Sequence, residues 1–408
     1  MKNMDEGKIK QALERNISWF QHSGVMLPDD GTWGVAERIA LTGGNTAIDQ
    51  IRQSFPAVTE HEGWCVVEQR RADCNFQAAM MMLLSGAVLS NEEYVRLGEN
   101  LLYYLYSRSG LLERKSSGRL IRGTWQWSHI IHTPRVYFDD DAWCLFLQLE
   151  IAVLRPDLEA KYQLSYWAEI LAEELWIATD RVLRERKSVD GHLYDDIWSG
   201  YFDLPHWGGL ACMALARACW KNPDQAKVAK YTDAIKGYMD FISPKVDDLI
   251  CSEKAYLLLA CVACWRYMKD EAARQLALRL GNALVAQMDE NGNLPAQHYE
   301  APEGRDLVDL IYTMNWTLLG LQCLVNEEQS FVPAYKKALE LVLRIQDTSE
   351  APQFNGCWRG MFDLNGKSWG GGDRYEGGAG SIYTGWTNAP ISLALAQELA
   401  HKDLFYIQ

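Results

Sequence analysis

What the chain lacks bounds it first. None of its 408 residues lies in an apolar run expected to reach the roughly 18 to 20 residues of a membrane span. No stretch alternates apolar and polar residues with a period of two, and strand-turn-strand punctuation is missing, so a β-rich fold is not expected. Positive charge is in deficit: 40 Lys and Arg stand against 54 Asp and Glu, for a net charge of −14. That excess argues against nucleic acid and against an anionic membrane surface as partners.

Metal-binding patterns are scarce as well. Cys261 and Cys264 form a CxxC inside an apolar run with no second pair, and zinc sites want four ligands. His129 and His132, in "HIIH", have no evident third ligand. Cys144, Cys212, Cys219 and Cys323 also fall in apolar helical runs, where buried free thiols are expected. The glycine-rich "GGGDRYEGGAGSIYTGW" follows no strand and lacks a phosphate-binding spacing, so a nucleotide is not expected. It carries Asp373 and Glu376 in a loop loose enough to act as a lid. No metal and no cofactor are expected. The N-terminal "MKNMDEGKIKQALERNISWF" reads as a helix and not as a signal peptide. A cytoplasmic location is the expectation, with a periplasmic or secreted one as the alternative if a signal peptide has been removed.

What is present is helix. Apolar periodicity predicts helices near 8–22, 74–89, 91–107, 140–155, 158–185, 206–220, 224–242, 253–268, 270–288, 309–325, 331–347 and 386–400. Segments such as "DAWCLFLQLEIAVL" and "EKAYLLLACVACWRY" are apolar on nearly every side and need neighbours all round. The segments between them are amphipathic. In 224–242, Val228, Tyr231, Ile235, Tyr238 and Ile242 form one stripe. Enclosed and amphipathic helices alternate, beginning with an amphipathic one.

The connections are lopsided. Enclosed helices pass to amphipathic ones through Ser90, "KNP" at 221–223 or Lys269. The return links are long, and several open on a turn such as "DDGTWG", "VDGHLY", "ENGNLP" or "LNGKSW", where Asn or Asp before Gly is turn chemistry. A hairpin repeated six times predicts an all-α fold, an (α/α)6 barrel, with 1–408 as a single catalytic domain. Long loops held by such a scaffold are where function concentrates.

Two residue types gather there. Of 16 tryptophans, 11 lie in long loops or first turns of enclosed helices: Trp33, Trp64, Trp125, Trp127, Trp143, Trp198, Trp207, Trp316, Trp358, Trp369 and Trp386. Such rings either plug the loops or stack on sugar faces in a cleft. Acids fall on the same side. One carboxylate per helix start needs no function, and Glu253 and Asp309 are read as such caps. Asp73, before "CNFQAAMMMLL", is read equally as cap or site. "RVYFDDDAW" is different, because it puts Asp139, Asp140 and Asp141 beside Tyr137 and Trp143. Adjacent carboxylates repel, and burial raises the pKa further, which is the equipment of glycoside cleavage. "LYDDIWSGYFDLPHWGG" repeats the theme with Asp195, Asp196, Asp203, His206 and Trp207. Helices roughly 8–10 Å apart bring such carboxylates within the roughly 5 to 9.5 Å used by glycosidases. Between 108 and 135 the basic Arg108, Arg114, Lys115, Arg119, Arg122 and Arg135 face a single acid, Glu113. They are read either as holding a substrate carboxylate, such as a uronic acid, or as neutralising the aspartates.

On these residues the chain resembles the six-hairpin (α/α)6 glycoside hydrolases over essentially its full length. "YFDDDAW" and "YFDLPHWGGLACMALA" look like the aspartate-bearing helix starts of unsaturated glucuronyl and rhamnogalacturonyl hydrolases. The α-1,6-mannanases have a consecutive aspartate pair in a tryptophan-rich cleft, which Asp139–Asp140 or Asp140–Asp141 is similar to. The expectation is a glycoside hydrolase acting on an oligosaccharide, with Asp139, Asp140, Asp141, Asp195 and Asp196 sharing the acid/base work. Substrate contacts are expected from Asp73, Trp125, Trp127, Tyr137, Trp143, Trp198, His206, Trp207, Trp316, Trp369, Asp373, Glu376 and Trp386. A uronate lyase or sugar epimerase on the same toroid, or a non-catalytic carbohydrate-binding barrel, is the alternative.

Overall fold

The structure is a computed structural model that describes residues 5–43, 57–129, 135–189, 191–297, 304–371 and 377–405. In chain order its helices are α1 (Glu6–His22), α2 (Ala72–Leu89), α3 (Glu92–Tyr103), α4 (Phe138–Leu154), α5 (Pro156–Tyr162), α6 (Leu164–Glu185), α7 (Leu210–Cys219), α8 (Gln225–Ile242), α9 (Cys251–Met268), α10 (Glu271–Gln287), α11 (Met314–Val325), α12 (Val332–Arg344) and α13 (Ala389–Leu399). Helices α2, α4, α7, α9, α11 and α13 are buried on almost every side. Helices α1, α3, α6, α8, α10 and α12 each bury one stripe. The expected alternation is therefore present, and the chain is all-α with small sheets in its loops.

The short links share one conformation. Ser90, Lys221 and Lys269 each take a left-handed backbone, with φ of 53°, 54° and 61°. This is the usual way to stop a helix, although glycine is the commoner residue for it. At Ser90 the backbone N–H closes onto the Gly86 carbonyl. Gln163, at φ 57°, splits the segment expected as one helix over 158–185 into α5 and α6, its N–H bonding the Glu159 carbonyl. The helix expected from 309 begins only at Met314, because Asp309 is held in a strand against Met361.

Contacts group the chain into two units, one from Met1–Arg108, Ile250–Ser252 and Ala283–Tyr406, the other chiefly from Ser109–Leu249 and Glu253–Asn282. In the first, α2 packs on α3 and α13, α11 on α12 and α13, and α1 on α12 and α13. Its loops carry a sheet in which Arg38–Leu41 lies between Ser381–Tyr383 and Trp64–Val67, with Val58–His61 at the edge. In the second, α4 packs on α6 and α7, and α8 on α6 and α7. Helix α2 corrects one expectation. By length and composition it could cross a membrane, but 83% of it is buried inside the protein, as in a core helix enclosed by its neighbours.

All ten cysteines are free thiols and buried. Burial pushes Cys261 and Cys264 well up from the ordinary thiol range. They are packed as small apolar side chains, and burial disfavours their thiolates.

Candidate active site

The second unit builds its cluster from two loops. Val136–Tyr137 pairs in parallel with Trp198–Ser199, which ties the start of α4 to the segment that leads into α7. Phe138 packs its ring 5.3 Å from Trp198 and 4.9 Å from Phe202. The next three residues open α4, where unsatisfied N–H groups favour negative charge. Asp139 and Asp140 are 5% exposed and Asp141 is fully buried. None of the three points into bulk water.

They are held differently. Asp141 Oδ1 accepts the Trp125 backbone N–H at 2.9 Å, so this carboxylate pins the loop before the helix. Asp139 Oδ2 lies 3.1 Å from His206 Nε2. Its other oxygen, Oδ1, is buried and accepts no hydrogen bond among the described residues.

His206 sits in a π-helical turn, Pro205–Gly209, directly before α7. Its ring is stacked between Trp207, at 4.5 Å and 12°, and Tyr256, at 4.6 Å and 9°. Its backbone N–H donates to Glu253 Oε2 at 2.8 Å. Glu253 therefore caps a neighbouring helix start, a contact that sequence reasoning missed when it read the residue as a cap of its own helix. Burial pushes its pKa up to about 7, with His206 opposing the rise and Asp203 adding to it. A lone acid opening the apolar "EKAYLLLACVACWRY" was the available signal.

Outward from His206 the rings continue. Tyr201, exposed, meets Trp207 edge-on at 5.8 Å and stacks on His192 at 4.3 Å. His192 Nδ1 lies 3.0 Å from Asp203. Trp207 is half-buried, and its Nε1 is buried with no hydrogen-bond partner among the described residues. Gly200, at φ +113°, is required here, since a Cβ would stand 2.2 Å from Trp207 Cδ1.

The other acids of this unit serve the loops. Asp195 Oδ1 accepts the N–H groups of Ile197 and Trp198, at 2.8 and 3.0 Å. Its Oδ2 takes Arg181 at 2.6 Å. Asp196 is exposed and paired with Lys187, which holds its pKa below the ordinary carboxylate range. The basic segment also turns outward. Arg114 and Arg122 lie over the Trp167 ring, and Arg122 bonds the Tyr166 hydroxyl. Arg119 bonds the Asp196 carbonyl. Arg135 is exposed beside the Tyr137 hydroxyl. In the first unit, Arg108 lies over Trp33. These contacts give the arginines aromatic and backbone partners, and a role in holding a uronate has no support from them.

The first unit gathers a second cluster at the starts of α2 and α13. Trp386 Nε1 donates to Asp73 Oδ2 at 2.8 Å. Arg71 reaches both oxygens of Asp73 at 3.1 Å and Glu37 Oε1 at 3.2 Å. Arg38 bonds the Tyr383 hydroxyl and lies 3.3 Å from Glu37. Asp73 and Glu37 are almost wholly buried, and two arginines balance them. Asp309 in this unit is a cap, accepting from Ile311, Tyr312 and the Thr313 hydroxyl. Burial raises its pKa.

The tryptophans divide. Trp125, Trp143, Trp198, Trp316 and Trp358 are at most 1% exposed. Their faces are covered by protein, which makes them plugs and corrects the expectation that the first four touch substrate. Trp33, Trp64, Trp127, Trp207 and Trp369 keep open surface. Tyr137 is half-buried, its ring 5.6 Å from Trp127. His132, Asp373 and Glu376 lie outside the described residues.

No family model matches the chain, and no curated protein does. Solved structures do match. A sugar epimerase from a ruminal bacterium superposes with a TM-score of 0.64 at 12% identity, covering 97% of this chain and 99% of that one. A D-mannose isomerase gives 0.59 at 12% identity over 98% and 100%. An α-1,6-mannanase of Salegentibacter sp. HEL1_6 gives 0.57 at 12% identity over 97% and 99%. That structure is an inactive variant, with two consecutive aspartates replaced by asparagine, in complex with α-1,6-mannotriose. The chain thus has the (α/α)6-barrel fold that carries both α-1,6-mannanases and sugar epimerases.

Proposed function

We propose that the protein is a glycoside hydrolase acting on an oligosaccharide, with 1–408 working as one catalytic domain and Asp139 and Asp140 as its carboxylate pair. The observation that carries the reading is the burial of consecutive acids at the start of α4, with one Asp139 oxygen held by His206 and the other accepting no hydrogen bond among the described residues. Replacement of two consecutive aspartates inactivates the mannanase neighbour, which adds support. One carboxylic acid would protonate the leaving oxygen, while the second carboxylate attacks the anomeric carbon or activates water. Asp141 is left out because its oxygen is committed to the Trp125 backbone. Asp195 and Asp196 are left out because both are held by cations. Trp207 and Tyr201 offer the open ring surface on which a sugar would stack. Manno-oligosaccharides are the first substrates to try.

A second reading, a sugar epimerase or isomerase, draws on the imidazole of His206 at the same helix start and on the superposition with the epimerase. One experiment separates them. Wild type, Asp139→Asn and Asp140→Asn are incubated with α-1,6-manno-oligosaccharides, aryl glycosides and free reducing sugars, and products are resolved by mass and by NMR. Hydrolysis by wild type that both variants lose by ~100-fold or more supports the first reading. An isomer of unchanged mass supports the second. Turnover of glycosides at wild-type rate by both variants would remove the aspartate pair from the mechanism.

A further inference from the structure

We infer that His206 is a positioning residue whose clamped imidazole sets the orientation of the Asp139 carboxylate. The inference rests on the hydrolase reading only for its kinetic consequence. The sequence placed His206 among substrate contacts, and the geometry argues otherwise. Both faces of the ring are covered, by Trp207 and by Tyr256, at 12° and 9° from parallel. A sugar therefore has no face of the ring to stack on. The edge is used too, since Nε2 lies 3.1 Å from Asp139 Oδ2. A carboxylate only accepts hydrogen bonds, so with Asp139 ionised it is Nε2 that carries the proton and donates it.

The backbone of His206 is fixed as tightly as the ring. Its N–H is bonded to Glu253 Oε2, and Pro205 and the π turn set its entry into α7. The parallel pairing of Val136–Tyr137 with Trp198–Ser199 couples the approach to Asp139 to the approach to His206. The charged and titratable groups beside the ring include Asp139 from α4 and Glu253 and Tyr256 from α9, and Asp203 from the preceding loop acts in turn on Glu253. An orienting partner of this kind locks a catalytic rotamer in the way second-layer residues do. It leaves Oδ1 as the oxygen with no hydrogen-bond partner among the described residues.

The test has two arms. In the first, histidine ring 15N and 1H resonances are recorded for wild type and for Asp139→Asn, and the His206 signals are identified by their loss in His206→Gln. A shift of the His206 ring signals on Asp139→Asn is expected, and unchanged signals would overturn the clamp whatever the enzyme's activity. In the second, His206→Ala and His206→Gln are compared with wild type in glycoside hydrolysis. A fall in kcat of ~10-fold or more with KM nearly unchanged is expected, with added imidazole restoring part of the His206→Ala rate. A wild-type kcat in either folded variant, or a rise confined to KM, would overturn positioning and return His206 to substrate contact. If wild type hydrolyses no glycoside while the ring signals move, the hydrolase reading fails and the clamp stands.

Discussion

Asp141 Oδ1 accepts the backbone N–H of Trp125 at 2.9 Å, in a fully buried position. A carboxylate used this way belongs to the architecture of the loop. It sits two residues from Asp139, whose Oδ2 lies instead 3.1 Å from His206 Nε2. Two residues of one kind on the same helix start therefore have different partners.

Asp141→Ala removes the acceptor and leaves the Trp125 N–H buried without it. A loss of about 1–3 kcal/mol in denaturant unfolding is expected, along with loss of the Trp125 loop's order. Asp140→Asn, in contrast, is expected to abolish turnover while the unfolding midpoint stays close to wild type. Urea melts of both variants, followed by tryptophan fluorescence, check the contrast.

Glu253 gives the protein a pH dependence of stability. Its carboxyl rises from the ordinary 4.5 to about 7 because it is buried. Between those values the folded chain keeps a proton that the unfolded chain has released. Stability from this group therefore falls as pH rises through the window and levels off above about pH 7. At about 1.4 kcal/mol per unit the effect is roughly 3 kcal/mol. Glu253→Gln should flatten the difference between urea midpoints at pH 5 and pH 8, and an equal slope in both proteins would rule the assignment out.

Gly200 makes room for Trp207. Gly200→Ala adds a Cβ at 2.2 Å from the indole and forces it on a backbone with φ of +113°, so Trp207 must move. The expected result is a lowered Tm together with a raised KM for oligosaccharide, since the ring that moves is the one proposed to meet the sugar. Trp207→Phe, which keeps the stack on His206 but lacks Nε1, should raise KM with a smaller change in Tm.

In the first unit, Trp386→Phe removes the N–H that reaches Asp73, at an expected cost of about 1–3 kcal/mol. Arg71→Ala leaves the buried carboxylates of Asp73 and Glu37 without their shared cation, and about 3–5 kcal/mol is expected. Thermal melts of both variants would test the ranking, and a smaller effect for Arg71→Ala would contradict it.

Asp196 closes the set. It is exposed and paired only with surface groups, so Asp196→Ala is expected to leave both Tm and turnover at wild-type values. Loss of activity in this variant would show that the Asp195–Asp196 segment reaches the reaction after all.

Local chain chemistry by itself determined the rods and their order. An apolar segment with no polar stripe must be enclosed, and an amphipathic one must cover it, so α2, α4, α7, α9, α11 and α13 could be told from their partners by periodicity alone. It also determined that acids and indoles crowd the long loops, because capping and turn chemistry are local. Tertiary structure alone decided which of those groups meet. Glu253 and His206 are 47 residues apart, and Asp139 and His206 are 67 apart. Hydrogen bonds over such separations depend on which helix starts the fold sets side by side, and burial that lifts a carboxyl to about 7 is a property of the surroundings. The same reason explains why one strand pair went unforeseen: Arg38–Leu41 finds Ser381–Tyr383 more than three hundred residues away, and no local pattern encodes a partner so distant.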